Sequence, residues 1–162
     1  MTMLQAIALP VLIMAAASAV PPAQAAIPAP LIGAWSVDVS RLPIPPEARP
    51  KRVVITFDRA GSDRLHIDVE IVDPAGRATH QTSTSDLAGT PTAIENGLEA
   101  DIVSAKSPAP NVLVLALGKG GIPASTRIYA VQPGGRMMIE TSVYFGEDGK
   151  PIMRTNYFTR TK

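Results

Sequence analysis

The chain is 162 residues long and carries 15 Lys and Arg against 14 Asp and Glu, a formal net charge of +1. Charges so nearly balanced, and scattered rather than striped, leave no electrostatic footprint for nucleic acid. There is no cysteine, which rules out disulfides, a cysteine nucleophile and a lipid-modified cysteine anchor, so the core has to hold the fold unaided.

Residues Met1 to about Ala25 contain no charge, and Leu4 to Ala19 is almost continuously apolar. Val20-Pro21-Pro22 breaks the run and Ala23-Gln24-Ala25 has the A-x-A form of a cleavage site. This is the layout of a secretory signal peptide over residues 1–25, although its first residues lack the usual Lys or Arg. An uncleaved anchor is the other reading. Pro10 and the Pro21-Pro22 break argue against it, because a span needs about 20 apolar residues. The expected location is therefore periplasmic or secreted, with no membrane span after cleavage. The remaining residues suffice for one domain with a sizeable core.

Residues 26–32, with Pro28 and Pro30, read as a stiff extended leader. A first strand follows at about Gly33 to Val39 and holds Trp35, the only tryptophan. Pro43, Pro45 and Pro46 mark a loop, since no ladder tolerates so many missing donors. Lys51 to Asp58 is a second strand. Arg64 to Asp73 then alternates with a period of two: Leu65, Ile67, Val69 and Ile71 share one face, and His66, Asp68 and Glu70 the other, as in a half-buried antiparallel strand. Asp73-Pro74-Ala75-Gly76 has turn chemistry. Arg77 to Leu87 is nearly all polar and fits either a solvated edge or a polar interior. After a short weak segment come Glu99 to Ala105, ended by Ser107-Pro108-Ala109-Pro110, and Asn111 to Leu117, apolar on both faces as for a strand covered on both sides. Ala124 to Gln132, Arg136 to Phe145 and Pro151 to Arg160 complete the chain around the turns at Pro133-Gly134-Gly135 and Glu147-Asp148-Gly149-Lys150. Short strands joined by consecutive turns predict an all-β fold, an antiparallel up-and-down barrel of about eight strands over residues 33–162, with a two-sheet sandwich as the alternative. Trp35 should plug one barrel end, its indole N–H meeting a partner there.

Three places carry possible chemistry. If Pro74-Ala75-Gly76 is a three-residue loop, Glu70 faces His80, Asp68 faces Thr82 and His66 faces Thr84. His66, Glu70 and His80, with Asp68, would then share one face as a metal or acid–base cluster; the plainer reading is a solvated face with cross-strand charge pairs. Gly118-Lys119-Gly120-Gly121 lacks the spacing and helix of a phosphate loop and reads as a turn. In the last hairpin, Met137, Ile139, Thr141, Val143 and Phe145 with Met153, Thr155 and Tyr157 read as the core face. Met138, Glu140, Ser142 and Tyr144 with Ile152, Arg154, Asn156 and Phe158 read as a partly wet exterior with a Glu140–Arg154 diagonal pair or, in a barrel, as a cavity lining.

Gly33-Ala34-Trp35 resembles the G-x-W of the first strand in lipocalin-like (calycin-type) barrels. The turn Asp38-Val39-Ser40-Arg41, the proline-rich loop Leu42 to Pro50 and the ending Asp148-Gly149-Lys150-Pro151 with Asn156-Tyr157-Phe158-Thr159-Arg160 are similar to small secreted bacterial members of that group. The resemblance implies a calyx, a small apolar ligand, no established activity and a late basic residue, Arg160 or Arg154, packed across Trp35. The chain departs from lipocalins in having no C-terminal helix on the barrel and few aromatics.

Three functions follow as expectations. The first is a periplasmic or secreted binding protein for a small hydrophobic or amphipathic ligand, with no catalysis and no cofactor. Trp35, Phe57, Tyr129, Met138, Tyr144, Arg154 and Phe158 are its candidate contacts, around a cavity of about 300–1,000 Å³. The second is a structural or interaction protein of the cell envelope with a side-chain-filled barrel. The third is an enzyme using His66 and His80.

Overall fold

A computed structural model of the chain describes residues 27–161. The expected signal peptide, residues 1–25, lies outside the described residues. Ten strands form one antiparallel sheet: β1 (Gly33–Val37), β2 (Arg52–Ala60), β3 (Arg64–Val72), β4 (Ala78–Asp86), β5 (Thr92–Ala93), β6 (Ile102–Ala109), β7 (Val112–Lys119), β8 (Ile122–Val131), β9 (Met137–Phe145) and β10 (Pro151–Arg160). Their spatial order, β4-β3-β2-β1-β10-β9-β8-β7-β6-β5, is a plain meander joined across the ends by β1 and β10. The Thr82↔Glu95 and Ala88↔Lys106 bridges bring β4 against the β5–β6 side, so the barrel is nearly closed and the sandwich alternative falls.

The nine strand segments read along the chain, more than the eight or so of the expected barrel, become ten because the weak segment after Pro91 makes a two-residue strand of its own. Strand β6 also corrects the expectation that Ser107-Pro108 would end it. The strand runs on to Ala109 through a register shift between Lys106 and Ala109. Pro108 sits in that irregularity, where no ladder donor is needed, and the Ser107 hydroxyl lies 3.0 Å from each of the Ala109 and Val112 carbonyl oxygens.

The leader is not an extended arm. Ala29–Leu31 form a 3-10 turn, and Ile27 and Leu31 are buried with Trp35 in the core. They cap one end of the barrel. The Trp35 indole N–H donates to the Leu31 carbonyl at 2.8 Å, and the Arg160 guanidinium lies 4.1 Å from the centre of its ring. Arg160 thus takes the place the resemblance left open between two arginines, and it also donates to the Ile32, Pro30 and Gly135 carbonyls. Gly33 is required here twice over. Its φ of +121° suits glycine, and a Cβ would stand 2.6 Å from Arg160 Nη1.

The register of the last hairpin is as the turn predicts, with Ser142 opposite Arg154 and Glu140 opposite Asn156. Its faces are the reverse of the expected core assignment. Met138, Glu140, Ser142 and Phe158 point inward and are buried, while Met137, Phe145 and Met153 stand exposed. Strands β7 to β10 consequently show solvent a face with the rungs Val112–Ala130–Ile139–Tyr157, Val114–Ile128–Thr141–Thr155 and Ala116–Thr126–Val143–Met153. The outer face of β2–β4 instead has the rungs Val54–Glu70–His80, Thr56–Asp68–Thr82 and Asp58–His66–Thr84.

Candidate functional site

A cavity of about 140 Å³ opens among the inward side chains of the barrel. Its walls are the inward positions of facing strands: Ile55 on β2, Ile67, Val69 and Ile71 on β3, Val103 on β6, and Leu115 and Leu117 on β7. Alternation puts these residues there, because every second side chain of a strand meets the interior. Gln81 and Ser83 on β4 and Arg127 and Tyr129 on β8 add polar groups, and Ile94, Glu99 and Ala100 of the β5–β6 loop complete the lining. The polar strand β4 therefore supplies polar groups to the interior, the second of its two expected roles, while Thr82 bridges to Glu95 along its outer edge.

The β5–β6 loop is pinned from several sides. Leu98 N–H donates to Gln81 Oε1 at 3.2 Å, and Lys119 Nζ donates to the Gly97 carbonyl at 3.0 Å. Gly97 permits the tight bend, since a Cβ there would lie 1.8 Å from the Ala100 carbonyl oxygen. The Glu99 side chain, 71% exposed, reaches from the surface to pair with Arg127, so the cavity meets solvent beside it.

The charged centre of the site is Arg127. One guanidinium nitrogen donates to Glu140 Oε1 at 2.9 Å and another pairs with Glu99. Glu140 is only 2% exposed. Its other oxygen accepts from Asn156 Nδ2 at 2.9 Å, and the Tyr129 hydroxyl donates to Oε1 at 3.3 Å. A carboxylate so deeply buried needs this many donors to offset its lost hydration. Burial opposes the charge on Arg127, but the Glu140 and Glu99 carboxylates outweigh it and hold the guanidinium pKa above its ordinary value. Burial, and then the Glu140 charge, push the Tyr129 phenol upward too, so it stays protonated. One donor is unused: Arg127 Nε is buried without a hydrogen-bond partner, in a side chain that lines the cavity.

Of the residues expected at a ligand, Tyr129 lines the cavity. Phe57 and Phe158 pack edge-to-face on Tyr129, at 5.7 and 6.1 Å between ring centres, and with Trp35 and Met138 they belong to the packed core rather than the cavity wall. Arg154 lies over the Tyr144 ring at 5.3 Å. It makes no pair with Glu140, whose partners are Arg127, Tyr129 and Asn156, because the face carrying Glu140 turns inward and Arg127 is its neighbour there.

The β3–β4 register is as the turn predicts, with Glu70 opposite His80 and His66 opposite Thr84. The face is the outer one, and its side chains pair off: Glu70 with Arg52 at 2.5 Å, His80 with Asp68 at 3.1 Å, and His66 Nδ1 with Thr84 Oγ1 at 3.0 Å. Among the described residues no group of three His, Cys, Asp or Glu side chains is placed to hold a metal ion.

The sequence reading missed Arg127 and Glu99 altogether. The available signal was the alternation Ser125, Arg127, Tyr129, Val131 along β8, which puts the arginine on the face of Tyr129 and Val131.

No protein-family model matches the chain, and no curated protein matches it by sequence. Among solved structures it is similar to a point mutant of the fluorescent protein UnaG, with a TM-score of 0.54 and 13% identity over 82% of this chain and 97% of that one. At that identity the likeness shows the fold: a calycin-like antiparallel β-barrel.

Proposed function

We propose that the chain is a binding barrel for a small amphipathic acid, acting in the periplasm or outside the cell, without catalysis. The observation that carries this is Arg127, whose buried Nε has no hydrogen-bond partner, in the wall of a mainly aliphatic cavity. A buried donor left unpaired costs about 1–3 kcal/mol, and a ligand acceptor would recover it. A carboxylate suits best, because it can take two parallel N–H donors from one edge of a guanidinium. The acid would displace Glu99, which is exposed, rather than Glu140, which Asn156 and Tyr129 hold in place.

The cavity is smaller than the several hundred cubic ångströms expected for a carrier. At 140 Å³ it is close to the ~150 Å³ of an engineered apolar cavity that binds benzene. The enclosed part of the ligand is then an aromatic ring or short acyl chain, and anything longer would run out past Glu99. UnaG-like architecture supports a hollow barrel; the ligand class rests on this chain's own residues.

Benzoate is the probe. The protein is purified from a secreting host without detergent, and native mass spectrometry and calorimetric titration are used to look for binding. The expected result is saturable benzoate binding, weakened when Ser83→Phe fills the cavity. A bare mass with no benzoate uptake, and no native ligand released on denaturation, would sink the carrier reading. The alternative, an interaction protein of the envelope, would then stand first.

A further inference from the structure

The outer face of β7–β10 contradicts its own sequence. Strand β7 is apolar on both faces, and the more apolar face of the β9–β10 hairpin is the one turned outward. Patterns of that kind belong to strands covered on both sides. Yet in the single chain Phe145 and Met153 are 69% and 70% exposed. The three rungs across these strands hold no Asp, Glu, Lys, Arg or His. Scattered exposed apolar residues need no explanation, but a contiguous uncharged patch on a soluble surface does.

We infer that this face is an isologous interface and that a second copy of the chain covers it. Three observations select that occupant. First, the face offers no charge for a charged partner to complement, whereas a copy of itself matches its neutrality over the whole area. Second, the size fits. Four adjacent strands of eight to ten residues, spaced about 4.8 Å apart and rising about 3.4 Å per residue, cover roughly 500 Å² of the barrel wall laid out flat. Side-chain relief and the rim bring this toward the ~800 Å² per partner of a standard interface. Third, charge returns at its borders. Lys106 on β6, opposite Val114, bounds one side, and Arg41, 3.4 Å from the centre of the Tyr157 ring, bounds the other. An apolar centre inside a polar rim is the anatomy of a protein–protein interface. The two sheets would pack face to face about 10 Å apart, strands near −30°, as in a sandwich. Nothing in this rests on the cavity or its ligand.

A two-fold axis buries each substituted residue twice, so a lysine near the centre of the face is a sensitive probe. The full chain, produced in a secreting host, is run by sedimentation velocity over a concentration series, with Thr141→Lys, Val143→Lys and, as a control on the charged half, Thr56→Lys. Fluorescence of the buried Trp35 reports folding in each. The expected result is a dimer for the parent and for Thr56→Lys, with self-association at least about tenfold weaker in both face variants. A parent that stays monomeric overturns the inference, as does a dimer that survives both lysines with folding intact. If both face variants misfold, Thr155→Glu, at an exposed position of the same face, replaces them under the same criteria. Flotation of a monomeric parent with neutral phosphatidylcholine vesicles would also overturn it and assign the face to lipid.

Discussion

The two halves of the barrel wall divide their polarity in opposite ways. On β2 and β3 the buried inside is apolar, with Ile55, Phe57, Leu65 and Ile67, and the outside carries Arg52, Asp58, His66, Asp68 and Glu70. On β8 and β9 the inside carries Arg127, Glu140 and Ser142, and the outside is neutral. Alternation is equally clear in both. It tells which residues share a face, but only the first half obeys the further rule that the more polar face is the wet one. The second half breaks that rule because its interior holds an ion pair beside a cavity. A face that loses the contest for charge is therefore not thereby the core.

The contrast is tested most strongly at two glutamates, each paired with an arginine. Glu140 is buried against Arg127, and Glu70 sits outside against Arg52 with side-chain exposures of 22% and 55%. Breaking a buried pair leaves an uncompensated charge and costs about 3–5 kcal/mol, whereas an exposed pair contributes about 0–1 kcal/mol. Glu140→Ala should accordingly lower the unfolding free energy severalfold more than Glu70→Ala, read from urea titrations of Trp35 fluorescence. Equal losses would erase the distinction between the two halves.

The face reversal in β9 is tested by neighbours in sequence. Met138 is fully buried and Ile139 lies on the outer sheet face. Met138→Ala should cost about 2–5 kcal/mol. Ile139→Ala should cost about 1 kcal/mol, the range of strand propensity at a partly exposed position. Both are measured at low protein concentration, where association adds nothing. A larger loss at Ile139 would restore the face assignment that hydrophobicity alone suggests.

That assignment shows where sequence reasoning ran out. Strand existence, turns and the registers Glu70–His80 and Glu140–Asn156 were legible, because turn chemistry and a period of two are local. At the Trp35 end the buried indole with a partner for its N–H was legible, whereas the arginine across it came only from the family resemblance, which left Arg160 and Arg154 open. The inside of β8–β10 was not. Glu140 and Arg154 lie on one hairpin and invite pairing, while Arg127 lies on the preceding strand, diagonal to Glu140 across the β8–β9 ladder, and that register was not read. The cavity was still less legible, since its wall draws on the β5–β6 loop, whose path is set by Gly97, Gln81 and Lys119 rather than by any apolar period.

The smallest expected effect on stability isolates the site itself. Glu99 is the exposed partner in the Arg127 network, so Glu99→Gln should change the unfolding free energy by at most about 1 kcal/mol, and Glu140 still neutralises the arginine. Its effect on binding should be out of proportion to that. Glu99 holds one guanidinium nitrogen that an incoming carboxylate would take, and it places a like charge at the cavity mouth. Removing the charge should strengthen benzoate binding and leave binding of its neutral amide, benzamide, nearly unchanged. If both probes gain equally, Glu99 only obstructs the mouth by its size; if neither does, the acid does not meet Arg127. The charged interior of β8 and β9 would then serve only the fold.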